Sequence, residues 1–266
     1  MATTLSLAKA HLTPAEHLAR VADPTLILRD AGEPEPHPEQ VKVLRNWRQD
    51  HYLLWTRQGG KSSTGAALAC HNLLFSANAD IPPTVVVVSR AERQSGELFR
   101  KARSLYGRLS YAPPLRTDSA TVMETHAGGR ILAYPGSEES VRGLSAVTLA
   151  LIGEATLVPR ELRDAISPMM VTTNAPLWCM ATAKGEVGWF YAEWTDPQLD
   201  YAVKSLVICD QLAHLSTAYL EKEKRRMPSW QFDQEYLCRF VSDGEAVLID
   251  PALIDAMQNT GVQALW

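Results

Sequence analysis

Tyr52-Leu53-Leu54-Trp55-Thr56-Arg57-Gln58-Gly59-Gly60-Lys61-Ser62-Ser63 decides how the rest of the chain is read. Its short apolar run predicts a strand. Two glycines, a lysine and a hydroxyl follow, and Thr64-Gly65-Ala66-Ala67-Leu68-Ala69 opens a helix. Strand, loop and helix in that order form the setting of a phosphate-binding loop. The unpaired N–H groups of a helix's first turn point outward, and the helix dipole adds favourable potential for an anion. Gly60 has no side chain to hold the backbone away from phosphates. Lys61 is placed to reach the β- and γ-phosphates and the Ser62 hydroxyl to sit on Mg²⁺. Arg57, Gln58, Gly59 and Ser63 complete the expected ATP-binding stretch. The pattern departs from G-x-x-x-x-G-K-[ST] where Trp55 stands in place of the first glycine. A plain turn followed by a helix cap is therefore the competing reading.

A chain of 266 residues makes one large α/β domain, or one domain with an appendage, with ample core. Its 46% hydrophobic and 21% charged content is that of a soluble globular protein. A net charge of −4 does not advertise nucleic-acid binding. Contact with DNA would have to come from a local patch or from the combined surface of an oligomer. Cys70, Cys179, Cys209 and Cys238 lie far apart, with no C-x-x-C, so reduced thiols are expected rather than zinc or disulfides. No signal-like segment opens the chain and no apolar run approaches a membrane span, so a cytosolic, non-membrane protein is expected.

Residues 1–36 read as an arm, helical after a Thr13 cap and ending in a proline-rich linker, that docks on a neighbour or on the core. The main domain is expected over 37–248, with a tail over 249–266. Pro38-Glu39-Gln40 starts a helix. Gln40 is either a surface residue there or a donor–acceptor pair for an adenine edge. Thr84-Val85-Val86-Val87-Val88-Ser89 predicts a strand buried on both faces. The arginine-rich helix after it (Arg93, Arg100, Arg103, Arg108) reads as a solvated face in preference to a DNA or subunit contact. Residues 121–125 and 130–134 flank Gly128-Gly129 as a hairpin. Further strands are expected at 147–152, 177–182, 202–208 and near 239–248, and helices at 159–170, 217–226 and around 230–237. The aromatics Trp189, Phe190, Tyr191 and Trp194 read as core packing. Strands alternating with helices argue an α/β fold with a mainly parallel sheet. Its site lies at the carboxyl ends of the strands, where Arg57–Ser62, Glu154 and Thr182 all fall.

Phosphoryl hydrolysis needs a phosphate cradle, a metal and a group that orients the attacking water. Glu154, directly after an apolar strand, can face a bound γ-phosphate and polarise water. Here the chain resembles the ATPase domain of the large terminase subunit of tailed double-stranded DNA phages. Arg57-Gln58-Gly59-Gly60-Lys61-Ser62 matches that family's phosphate loop, which typically lacks the first glycine. Pro38-Glu39-Gln40, Arg142-Gly143, Gly153-Glu154-Ala155 (in part), Ala181-Thr182-Ala183-Lys184-Gly185 (loosely), Gly188-Trp189-Phe190-Tyr191 and Phe232-Asp233-Gln234-Glu235-Tyr236-Leu237 follow in the family's order. The likeness covers roughly residues 36–245.

By that resemblance the fold is a RecA-like P-loop NTPase of the additional-strand, catalytic-glutamate type. The activity is ATP hydrolysis with Mg²⁺, coupled to packaging of double-stranded DNA into a prohead. Lys61, Ser62 and Arg57 would hold phosphates and metal, and Glu154 would activate water. Thr182 would relay hydrolysis to DNA movement. Arg142 would serve a neighbouring subunit as arginine finger, or else pair within its loop with Glu138 or Glu139. The implied partners are DNA, the portal protein, the small terminase subunit and other copies in a ring, in the cytoplasm of a bacterial host.

Two departures stand out. Gly153 occupies the place of the Walker B aspartate, so hydrolysis in isolation is expected to be weak. With only Asp250 and Asp255 near the end, no nuclease activity is expected in this chain. Two other classes compete: a helicase-like ATPase, and a nucleotide-binding assembly subunit that does not hydrolyse, which Gly153 favours.

Overall fold

Alternation of side chains along the strands, one face then the other, divides the apolar runs between two cores. In the computed structural model, which describes residues 11–76, 81–90, 92–135 and 144–242, β1 (Asp50–Trp55) sends Leu53 and Trp55 to one side and Tyr52 and Leu54 to the other. β2 (Thr84–Ser89) splits Val85 and Val87 from Val86 and Val88 in the same way. β6 (Leu149–Gly153) and β7 (Leu177–Ala181) are likewise buried on both faces. Strands of this kind suit a parallel sheet covered by helices.

β3 (Leu115–Asp118), β4 (Val122–Thr125), β5 (Arg130–Pro135) and β8 (Ala202–Val207) complete the sheet. Its eight strands run β3-β4-β5-β2-β6-β7-β1-β8. The six from β5 to β8 in that order are parallel. β4 and β3 extend the sheet antiparallel. The hairpin expected around Gly128-Gly129 is the β4–β5 turn, where Gly128 takes the left-handed region at φ 86°.

One face carries α3 (Pro38–Arg45), α4 (Lys61–Phe75), α5 (Glu92–Arg108), α8 (Thr217–Arg226) and α9 (Ser229–Tyr236). The other carries α6 (Arg160–Met170) and α7 (Gly188–Thr195), whose Trp189 and Phe190 are core residues as expected. Residues 14–31 also pack on this domain. α1 (Pro14–Ala22) starts in a Thr13–Glu16 capping box, and α2 (Leu26–Asp30) buries Ile27 and Leu28 in the first core. Residues 14–31 of the expected arm therefore dock on the core. On α5, Arg103 pairs with Asp118 and Arg108 with Glu33, as a solvated face would.

Three expectations need amending. The strand β3 and helix α2 were not foreseen. No strand forms at 239–242, where Val241 makes a single parallel bridge to Gly185. The remainder of that expected strand, together with Arg142, Glu138, Glu139, Asp250 and Asp255, lies outside the described residues. No helix among the described residues is long and apolar enough to cross a membrane. All four cysteines are free, Cys70, Cys179, Cys209 and Cys238 being buried.

Candidate nucleotide-binding site

The carboxyl ends of β1, β2, β6 and β7 meet along one edge, with Ser89 opposite Gly153, Gly153 opposite Met180 and Leu54 opposite Ala181. The loop from Thr56 to Gly60 leaves this edge and enters α4. Gln58 at φ 57° and Gly60 at φ 81° turn the chain. A Cβ on Gly60 would lie 2.7 Å from Gln40 Nε2, the movable end of a side chain, so it is the left-handed backbone that favours glycine there.

Surrounding groups fix the loop's backbone. Thr56 N donates to Val207 O at 2.8 Å, while Arg57 N and Thr56 Oγ1 both donate to Glu235 O. His37 and His214 bring ring nitrogens to the carbonyls of Gly59 and Gln58, at 3.0 and 3.2 Å. Trp55, in the place of the missing first glycine, ends β1 fully buried, its indole N–H donating to Ser205 Oγ at 3.0 Å. That position is a core anchor, not a turn.

Gln40 is placed differently from the adenine role. Its Oε1 accepts from His37 N, and its Nε2 donates to Thr64 Oγ1 at 3.0 Å and more weakly to Gly60 O. With 7% of its surface exposed and both ends of the carboxamide occupied, it buttresses the loop from behind and has no free edge to offer a base.

The Lys61 amine has three oxygen partners: Trp55 O at 2.6 Å, Thr56 O at 3.1 Å and Thr182 Oγ1 at 3.0 Å. Burial holds its pKa below the usual lysine range, against the attraction of Glu154 and Glu235. Thr182, just past β7, accepts at its carbonyl from Thr156 Oγ1 at 3.1 Å. Thr156 lies two residues beyond Glu154, so one hydrogen-bonded chain joins the loop lysine, the β7 end and the turn after β6. Glu154 itself sits at φ 50°, ψ 49°. A left-handed glutamate costs on the order of 1 kcal/mol and, where it persists, often marks a functional position.

Arg57, Lys61, Ser62, Ser63, Glu154 and Thr182 line one cleft of about 560 Å³, with Gln58, Gly59 and Gly60 along its floor. The structure thus brings together every described residue predicted for the site except Gln40. Five polar contributors carried no prior assignment: Glu97 and Lys101 of α5, Lys184, His214 and Glu235. Glu235 is nearly buried and ion-paired both to Arg57, at 2.6 Å, and to Lys184, at 3.5 Å. Lys184 and Glu235 stand inside segments already singled out, whereas nothing local in the sequence marks Glu97, Lys101 or His214.

Among the described residues no group of three histidine, cysteine, aspartate or glutamate side chains could hold a metal alone. The donors that are present, the Ser62 hydroxyl with the Glu97 and Glu154 carboxylates along one smaller cavity, suit Mg²⁺ arriving with a nucleotide. Mg²⁺ prefers one or two protein oxygens completed by phosphates and water.

No protein-family model and no curated protein matches the sequence. Solved structures do match. A point variant of the large terminase ATPase domain of Thermus phage P74-26 superposes with a TM-score of 0.68 at 15% identity, over 80% of this chain and 97% of that one. The large terminase of a thermophilic bacteriophage, in complex with ADP, gives 0.62 at 16% over 77% of this chain. That of bacteriophage HK97 gives 0.64 at 16% over 86%. This chain spans 54% and 56% of the latter two proteins. The fold is therefore that of large terminase ATPase domains, RecA-like with a mainly parallel sheet between helices.

Proposed function

We propose that this chain is an ATP-hydrolysing subunit of a DNA-packaging motor. In this reading ATP hydrolysis drives double-stranded DNA into a viral prohead inside a bacterial host, and the working form is a ring of copies meeting the portal protein and the small terminase subunit. The observation that carries the reading is the link from Lys61 Nζ to Thr182 Oγ1 in the cleft that Glu154 also lines. A phosphate-binding amine and the end of a neighbouring strand then respond to the same ligand. The complexes of the similar thermophilic-phage terminase with ADP and ATP-γ-S agree with a nucleotide in such a cleft.

Backbone N–H groups of residues 59–63 and the Lys61 amine receive the phosphates. The Ser62 hydroxyl would hold Mg²⁺, which would supply positive charge against the phosphates. Glu154 accepts a proton from the attacking water. Thr182 exchanges its hydrogen bond with Lys61 as the γ-phosphate comes and goes, and so moves the loop after β7. Arg142, from a neighbouring copy, offers a guanidinium to transition-state charge.

Gly153 favours one other reading, a subunit that binds nucleotide and assembles without hydrolysing it. Mg²⁺-dependent ATP hydrolysis at high protein concentration, with and without DNA, separates the two. Turnover stimulated by DNA is expected, while tight ADP binding with no turnover under any condition would leave the assembly role.

A further inference from the structure

The end of β6 carries no carboxylate, because residue 153 is glycine. Its backbone does not demand a glycine: Gly153 is outside the left-handed region, and a Cβ there would find nothing nearer than Ser89 Cβ at 3.8 Å and Val88 O at 3.9 Å. A side chain would start there in ordinary van der Waals contact. The space in front of it is a cavity of about 160 Å³, walled by Lys61, Ser62 and Glu154 on one side and by Glu97 and Leu98 on the other.

Glu97 reaches this cavity because α5 lies hard against α4. The contact is at Gly65, where a Cβ would stand 2.9 Å from Met180 Cε and 3.1 Å from Leu98 Cδ1. Leu98 and Phe99 are buried in the core below, which leaves Glu97 at the helix margin, lining both this cavity and the main cleft. Glu154 cannot serve as both proton acceptor and metal support at the same moment. A carboxylate that supports Mg²⁺ need only reach a metal-bound water, so it can come from the facing wall as well as from the strand end.

We propose that Glu97 of α5 takes over the metal-supporting role that a strand-end carboxylate at residue 153 would have, as a positioning residue for the Mg²⁺–nucleotide complex. The proposal rests on the nucleotide-binding reading above. On this account the site is rewired rather than disabled, its second carboxylate supplied across the cavity.

The test is calorimetric titration of ADP into the intact chain, in EDTA and across a Mg²⁺ series, for the unaltered protein, Glu97→Gln, and Glu97→Gln combined with Gly153→Asp. Glu97→Gln is expected to raise the Mg²⁺ concentration that half-maximally tightens ADP binding by roughly ten- to a hundredfold, the usual cost of losing an outer-sphere ligand. Affinity for metal-free ADP should not fall, because the change removes a negative charge from a cleft that receives phosphates, so a loss confined to the Mg²⁺ dependence is what a merely structural role would not arrange. Adding Gly153→Asp should bring the Mg²⁺ midpoint back. An unaltered midpoint in Glu97→Gln would overturn the proposal and make Glu97 an ordinary helix partner of Lys101, with ADP binding intact. Failure of the unaltered protein to bind ADP at any Mg²⁺ concentration would overturn the nucleotide reading itself.

Discussion

Lys61 joins three pieces of backbone and side chain through one amine, and its worth to the site follows from its burial. The desolvation that lowers its pKa also means that few waters compete with a phosphate for it. Lys61→Ala is expected to abolish measurable ADP binding in calorimetry, since the loop's other cation, Arg57, is already ion-paired to Glu235 and cannot replace a buried amine at the phosphates. Unchanged affinity would remove the phosphate-loop assignment. Gly153→Asp is the complementary change. With 3.8 Å of clearance and an ordinary backbone, the variant should fold with an unchanged melting temperature. It should hydrolyse ATP at lower Mg²⁺ than the parent, because a carboxylate near the metal shell adds favourable charge in a partly desolvated cleft. A folded variant with the same Mg²⁺ requirement would mean that Glu97 already saturates the support. Lys61, Ser62, Glu154 and Thr182 were legible in the sequence because each follows a strand within a few residues, so local order alone delivers them to one edge. Glu97 was not, since its place depends on how closely two helices approach at Gly65. Gln40 misled for a related reason: its spacing from the loop is right, but its carboxamide is turned inward onto Gly60 and Thr64.

Helix α4 starts at the glycine turn that lines the cleft and carries, at its other end, the contact that holds the N-terminal helices. His71, fully buried, brings Nε2 to Arg20 O in the last turn of α1 at 2.9 Å, and lies between the rings of Trp47 and Phe75. Burial, helped by nearby Arg48 and opposed by the Arg20 and Val21 carbonyls and Asp23, pushes its pKa down to about 4. Because the folded value lies below the unfolded one, the unfolded chain takes the proton first. Stability is then complete above pH 6.5, falls as the pH drops toward 4, and is level beneath that, at a total cost of about 3 kcal/mol. His37 and His51, also held down by burial, add in the same direction. Urea unfolding of His71→Phe between pH 7.5 and 4.5 should show a shallower loss than the parent, and an identical slope would assign the loss elsewhere. At the opposite end, α9 grips the loop through Glu235. Its carbonyl fixes Thr56 and Arg57 while its carboxylate holds the Arg57 and Lys184 side chains. Glu235→Gln keeps the first pair of contacts and frees two cations beside the cleft. It should therefore bind ADP more tightly at low salt, with little change in melting temperature. Weaker binding would mean that the carboxylate's chief task is to aim Arg57.

Across the whole molecule, the fold class was readable from apolar runs alternating with helical patterns, but the order of the strands was not. Nothing in β1 states that it will lie between β7 and β8, because pairing is decided by crossovers that bury both faces. The edge strand β3 was missed since Leu115-Arg116-Thr117-Asp118 offers four residues, only one of them strongly apolar. The N-terminal helices looked like an arm because their buried residues, Ile27 and Leu28, form too short a run to declare a core contact. What the single chain leaves open is the far side of its cleft, and here the ring proposal makes its sharpest demand. If Arg142 serves the neighbour's cleft, a complete site needs Glu154 from one copy and Arg142 from the next, across a head-to-tail interface. Arg142→Ala supplies the first and lacks the second, while Glu154→Gln does the reverse, so each alone should be inactive. In an equal, random mixture each interface has one chance in two of the right copy on either side. On the order of a quarter of the interfaces should then be whole, and hydrolysis should return to about that fraction of the unaltered ring. Were Arg142 to act within its own copy, every site in the mixture would still lack one residue. Activity no higher than the parents', in samples where sedimentation shows mixed rings, would therefore end the trans role, whereas an Arg142→Ala ring that stays active alone would leave Arg142 no part in the chemistry.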